Sequence, residues 1–194
     1  MRLILASASP RRRELLRNAG FEFDIQASHI VEEIQPGERP EEFARRAARD
    51  KAMQIAASSP PNSIVLGADT VVVIDGETLG KPSDREDATR MLRLLSGRTH
   101  QVHTGICLVR APAEIEALEH ETTHVTFREL DEEEIRHYVE SGEPLDKAGA
   151  YAVQGLASKF VTRISGCYSN VVGLPVALLY EILKPLMKAV GGRQ

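Results

Sequence analysis

The chain has 194 residues, 42% hydrophobic and 27% charged, which suits one sizeable domain or two intimately packed lobes of an ordinary globular protein. Its net charge is −4, yet the first 20 residues hold five arginines against one acid, so the other 174 must carry −8. One concentrated basic site on an acidic protein suits a small polyanion and argues against a nucleic-acid partner, as do 5% aromatic residues and no tryptophan.

Leu3 to Ala6 reads as a first strand. Ser9-Pro10 then starts a helix (about 10–19), with serine as N-cap and proline at the first helical position, and Gly20 stops it. Phe21 to Ala27 alternates as a second strand, and the polar stretch HIVEEIQPGERPEE is a loop. Pro40 to about Ser58 is a helix with Phe43, Ala44, Ala47, Ala48, Ala52, Ile55 and Ala56 on one face. Ile64 to Asp75 is the strongest strand, and Asp75-Gly76 signals a hairpin. Ser83-Asp84-Arg85-Glu86 reads as a capping box for a helix through Leu95. His100–Arg110 and about Glu114–Phe127 are two long paired strands, and Asp131 with Glu134 caps a helix to about Glu140. Lys159–Ile164 is a short strand, and Pro175–Val190 a closing helix with Pro185 near its end. Helices alternate with strands and hairpins intervene, which points to an α/β fold with a mixed sheet. No apolar run reaches membrane-spanning length, and Leu3-Ile4-Leu5-Ala6 is too short for a signal-peptide core. Cys107 and Cys167 fit no CxxC or disulfide framework, so a cytoplasmic protein with reduced thiols is expected.

Three features bear on chemistry. Arg11, Arg12 and Arg13 occupy the first turn of a helix, where the backbone dipole makes each cation cost about 0.3–1 kcal/mol. A solvated basic face would explain them blandly. An anion would explain them better, since free helix N–H groups, the hydroxyls of Ser7 and Ser9 and the guanidinium forks together make a phosphate cradle. The strand–loop–helix placement suits a nucleotide, although the glycines and lysine of a Walker motif are missing. Asp69, in IVLGADTVVVI, shares a strand face with Val65, Gly67, Val71 and Val73, an expensive place for a lone carboxylate. It is either a paired structural acid or a general base or metal ligand, and Gly67 beside it leaves room for a ligand. Lys81 in LGKP, Lys51 among the alanines of the second helix, and Glu32-Glu33 in the early loop are background taken singly. His100 and His103, three apart on a strand, point to opposite faces and so do not share a metal.

ASASPRR, GADTVV, GKP, SGRTHQVHTG, DKAGAYAVQG and VVGLP, in this order and spacing, resemble the motifs of the Maf family over about residues 2–185. That family comprises nucleotide pyrophosphatases long labelled septum-formation inhibitors. The resemblance implies a single domain over residues 1–194: an elongated mixed sheet flanked by helices, two lobes around a cleft, and a fold similar to that of inosine triphosphate pyrophosphatases. It also implies a homodimer. The expected reaction is hydrolysis of a nucleoside triphosphate to the monophosphate and pyrophosphate with a divalent cation, Mg²⁺ or Mn²⁺. By the same resemblance Asp69 is the proton acceptor and Ser7, Ser9 and Arg12 grip phosphate. Lys51 and Lys81 are the family lysines. The acidic loop residue, a metal ligand with Asp69, falls at Glu32, with Glu33 beside it. Arg11, Thr70 and Gln154 stand where the dTTP/UTP subfamily differs from members preferring 7-methylguanosine triphosphate, and Gln154 suits a 4-oxo pyrimidine. Two alternatives remain: a sugar-nucleotide transferase, which needs a sugar-phosphate acceptor, and a nucleotide- or DNA-binding regulator of septum formation without hydrolysis.

Overall fold

The structure, a computed structural model, describes residues 2–191. In chain order the elements are β1 (Leu3–Leu5), α1 (Pro10–Asn18), β2 (Asp24–Ile25), α2 (Pro40–Ala56), β3 (Ile64–Ile74), β4 (Glu77–Leu79) and α3 (Arg85–Leu95). There follow β5 (Thr99–Arg110), β6 (Glu114–Phe127), α4 (Glu132–Glu140), β7 (Val161–Ser165), α5 (Tyr168–Val172) and α6 (Val176–Gly191). Three 3-10 turns, Glu143–Asp146, Ala148–Ala150 and Leu156–Phe160, join α4 to β7. The strands form one seven-stranded sheet in the order β2-β1-β3-β5-β6-β7, with β4 paired to β3 off that path. It is mixed, as expected: β1 runs parallel to β2 and β3, while β3–β4 and β6–β7 are antiparallel. Among the described residues no helix is long and apolar enough to cross a membrane.

Two compact units divide the chain. The first takes in the chain up to Asp69, Thr104–Glu121 and the chain from Gly173 onward; the second is Thr70–His103 and Thr122–Val172.

In the first unit, interior parallel strands must be apolar on both faces, and Leu3, Ile4, Leu5 and Ile64 to Ala68 are all buried. One face packs Leu3, Leu5, Leu66, Ile106 and Leu108 against Leu16 of α1 and Leu179 and Leu183 of α6. Such side chains each contribute about 1.5–3 kcal/mol by leaving water. The other face packs Ile4, Val65 and Cys107 against Ala48, Ala52 and Ile55 of α2. Small alanines let that helix come very close. A Cβ on Gly67 would lie 2.0 Å from the carbonyl oxygen of Ala48 and 2.8 Å from the amide of Ala52. The space beside Asp69 that the sequence suggested for a ligand is therefore filled by α2. This close approach also brings a helix side chain to Asp69.

The second unit has its own core, in which Val72, Ile74, Leu79, Leu92, Leu95, Phe127, Tyr138 and Phe160 are buried together. The hairpin after β3 turns through Asp75 and Gly76 at φ 51° and 80°, the left-handed pair a tight two-residue turn needs. Four expectations change. The second strand shrinks to Asp24–Ile25, because Phe21 and Phe23 pack onto the apolar cluster instead of pairing. Helix α3 is capped by Asp84, whose side chain accepts from the Asp87 amide, and not by Ser83. The short strand starts at Val161, since Leu156–Phe160 closes a 3-10 turn first. The brief helix α5 has no amphipathic pattern long enough to announce it. His100 and His103 do part company: His100 meets Tyr151, whereas His103 meets Gln101 and Thr122.

Candidate active site

The loop between β1 and α1 is built by its serines. The side chain of Ser9 caps α1 by accepting from the Arg12 amide at 3.4 Å, and Pro10 needs no N–H partner in the first turn. Ser7 Oγ, buried, accepts from the Ser9 amide at 3.2 Å and from Arg12 Nη1 at 3.2 Å. Arg12 Nε donates to the carbonyl of Gly173 at 2.8 Å. The three arginines are thus not a solvated face; Arg11, Arg12 and Arg13 are all partly buried. Burial pulls the Arg12 guanidinium below its ordinary value, while the negative charges of Asp69 and Glu32 pull it back up. The Gly173 contact is not legible as a role in the sequence, although VVGLP stands among the motifs that resemble the family's.

Asp69 leaves β3 on the face that α2 covers, where Lys51 is the one polar side chain in a row of alanines. Lys51 Nζ donates to Asp69 Oδ1 at 2.6 Å, and both side chains are about nine-tenths buried, at 10% and 8% exposed. The same ammonium reaches Glu32 Oε1 at 2.8 Å. Glu32, from the loop after β2, also hydrogen-bonds Asp69. Beside it, the backbone carbonyl of Glu33 accepts from Arg46 Nη2 at 2.7 Å.

Two carboxyls in contact with a single ammonium cannot both ionise freely. Burial pushes Asp69 up to about 6, against the attraction of Lys51 and Arg12 and with the help of Glu32. Burial also pushes Glu32 up, but the hydrogen bond from Asp69 and the charges of Lys51 and Arg12 outweigh it, and Glu32 lies below its ordinary value. As pH falls through about 6 the pair takes up a proton, mainly on Asp69. A carboxyl poised near neutrality beside cations is suited to taking a proton from water.

The same pair fits a divalent cation. A proton shared by two carboxylates can be exchanged for a metal ion, and Mg²⁺ commonly uses one or two carboxylates while waters and phosphate oxygens complete its shell. Among the described residues no group of three or more His, Cys, Asp or Glu could hold a metal by itself.

The structure therefore brings Ser7, Ser9 and Arg12 into one hydrogen-bonded loop, and Glu32, Lys51 and Asp69 into one ion cluster within the field of Arg12. Arg11 sits on the first turn of α1. Thr70, Lys81 and Gln154 belong to the second unit. Thr70 is the partly buried member of β3, and Lys81 is exposed just after Gly80, whose carbonyl accepts from the Gly149 amide at 3.0 Å. Gln154 is exposed between two 3-10 turns.

A family model described as Maf-like protein matches residues 2–186. The chain belongs to the Maf family. Among curated relatives, this Maf-like chain is 53% identical over 184 residues to a protein of Koribacter versatilis named dTTP/UTP pyrophosphatase, covering 95% of this chain and 94% of the other. It is 52% identical over 183 residues to one of the same name from Geobacter sulfurreducens, covering 94% and 95%. A solved nucleoside-triphosphatase / dITP/XTP pyrophosphatase of Mycobacterium abscessus matches at 14% identity and a TM-score of 0.42, over 67% of this Maf chain and 76% of that one.

Proposed function

We propose that this chain is a nucleoside triphosphate pyrophosphatase that hydrolyses dTTP and UTP to the monophosphate and pyrophosphate. The observation that carries the reading is the Glu32–Lys51–Asp69 cluster, in which Lys51 and Asp69 are buried, with Asp69 pushed up to about 6 and Arg12 near it. The relatives named dTTP/UTP pyrophosphatase supply the substrate. Residues 1–194 act in this reading as one catalytic domain.

Asp69 accepts a proton from water as its oxygen bonds to the α-phosphorus. The bridging P–O bond breaks, and its electron pair leaves on pyrophosphate. Ser7, Ser9, the first N–H groups of α1, Arg12 and Lys81 bind the phosphates and stabilise the charge that grows on the leaving group. Lys51 holds Asp69 and Glu32 in place and offsets their charge. Asp69 and Glu32 would hold the Mg²⁺ or Mn²⁺, which when bound polarises water and neutralises phosphate charge. Arg11, Thr70 and Gln154 select the base, the Gln154 amide donating to a 4-oxo group. Homodimer formation enters through the family resemblance, and a cytoplasmic location through the two cysteines that fit no disulfide framework.

The test is pyrophosphate release from dTTP, UTP, CTP, GTP, ATP and 7-methyl-GTP with Mg²⁺ or Mn²⁺ and no acceptor. Release from dTTP and UTP, lost on chelation, is expected. No release from any nucleotide refutes hydrolysis and favours the binding-only regulator of septum formation.

A further inference from the structure

Gln154, the residue proposed to read the base, is exposed, and its side chain has no hydrogen-bond partner among the described residues. Its aim depends wholly on the backbone that carries it. That backbone is gripped from one side by a single carboxylate. Glu143 Oε2 accepts from the Leu156 amide at 3.0 Å, and Glu143 Oε1 accepts from the Tyr138 hydroxyl at 3.0 Å. The Tyr138 oxygen in turn faces the backbone amide of Ala152. The amide two residues after Gln154 therefore ends on this carboxyl group, and the one two residues before it faces a phenol that the same carboxyl group holds.

The fit is too close for a side chain between them. A Cβ on Gly155 would lie 2.2 Å from Glu143 Oε1 and 2.6 Å from Oε2, so the glycine after Gln154 is what lets the carboxylate reach in. Glu143 is itself fixed at the start of a 3-10 turn, its amide donating to Ser141 Oγ at 3.2 Å and its carbonyl accepting from Lys147 Nζ at 3.3 Å. The tyrosine is locked as well, its ring standing edge-on to Phe160 at 5.3 Å. A second anchor lies three residues upstream of Gln154. Tyr151 is buried, its hydroxyl 2.8 Å from His100 Nε2, and its ring packs edge-on against Phe127 at 4.8 Å.

We infer that Glu143, acting directly on Leu156 and through Tyr138 on Ala152, is a positioning residue that aims Gln154 and so sets pyrimidine discrimination. The inference rests on the proposed reading of the reaction, in which Gln154 meets the base. It assigns a task to a carboxylate that touches neither phosphate nor water in that mechanism. Removing it frees the Leu156 amide and leaves the Tyr138 hydroxyl without its acceptor, which lets Gln154 sample many directions and weakens a geometry-dependent hydrogen bond to one base edge while leaving the phosphate contacts of the first unit alone.

The experiment compares wild type with Glu143→Ala, Glu143→Gln and Tyr138→Phe. It measures kcat/KM for UTP and for CTP, inhibition by pyrophosphate, and amide hydrogen exchange over residues 150–158. For Glu143→Ala the UTP/CTP ratio should fall about tenfold or more, through KM for UTP, with the pyrophosphate inhibition constant within about twofold of wild type. Exchange over 150–158 should quicken at least tenfold while α2 stays protected. Glu143→Gln, which keeps an acceptor for Leu156, should recover most of the ratio. Tyr138→Phe keeps the ring on Phe160, should show a smaller fall, and serves if Glu143→Ala does not fold.

Unchanged exchange would overturn the clamp. Faster exchange with an unchanged ratio would overturn its part in base choice. Wild type releasing no pyrophosphate from UTP would instead sink the reading of the reaction, and exchange would still decide whether Glu143 holds the segment.

Discussion

Replacing Asp69 by asparagine separates what this carboxyl does for the reaction from what it costs the fold. Burial raises it from an ordinary 3.8 to about 6. A carboxyl whose folded pKa lies above its unfolded one supports the folded state fully below about pH 4 and loses that support as pH rises through about 6. At roughly 1.4 kcal/mol for each pH unit, the ionised Asp69 costs the native state about 3 kcal/mol at pH 8. Asparagine imitates the protonated acid: its carbonyl can still accept from Lys51 Nζ, and its amide can still donate to Glu32. Asp69→Asn should therefore be more stable than wild type by up to about 3 kcal/mol at pH 8, which for a chain of this size is roughly 6–12 °C in Tm. At pH 4 the two should melt within about 2 °C of each other. Both comparisons are made by thermal unfolding with chelator present, so that no cation adds its own stabilisation. Pyrophosphate release should meanwhile fall at least about 100-fold with substrate binding retained, the usual range for a lost general base. An Asp69→Asn protein less stable than wild type at pH 8, or a stability difference independent of pH, would show that the shared-proton account of Glu32 and Asp69 is wrong.

Other substitutions test neighbouring parts of the argument. Glu32→Gln should lower pyrophosphate release by about tenfold or more, whereas Glu33→Gln should leave it within about twofold, because only Glu32 meets Lys51; equal losses from both would refute the assignment. Gly67→Ala should destabilise the protein by at least about 3 kcal/mol in urea unfolding, since the new methyl meets backbone atoms of α2 that cannot turn aside. A Gly67→Ala protein of near-native stability would mean that α2 is not seated against β3 as described.

Local chemistry announces some parts of this molecule and not others. The hairpin at Asp75-Gly76, the proline start of α1, the Asp131/Glu134 cap of α4 and the alanine face of α2 were all legible, because turns, caps and amphipathic faces depend on residues within a few positions of one another. The three arginines at a helix start and the aspartate inside an apolar strand were legible as anomalies for the same reason: each violates a local rule, and such violations gather at functional sites. Order of motifs along the chain then pointed to the Maf family without any knowledge of distances.

What each anomaly does was decided only by partners far away in sequence. Lys51 looked like one lysine on a helix until the close packing of Gly67 under Ala48 brought it to Asp69, and with it Glu32 in preference to Glu33. That same packing filled the space the glycine had seemed to offer a ligand. Arg12 was readable as a phosphate ligand, but its tie to Gly173 spans 161 positions. The raised pKa of Asp69 belongs to no residue alone, because burial and the balance of Lys51, Glu32 and Arg12 around it exist only once the strands and α2 are in place. Glu143 gave no signal at all: an acid in a loop is ordinary, and only the fold sets it against the backbone on both sides of Gln154.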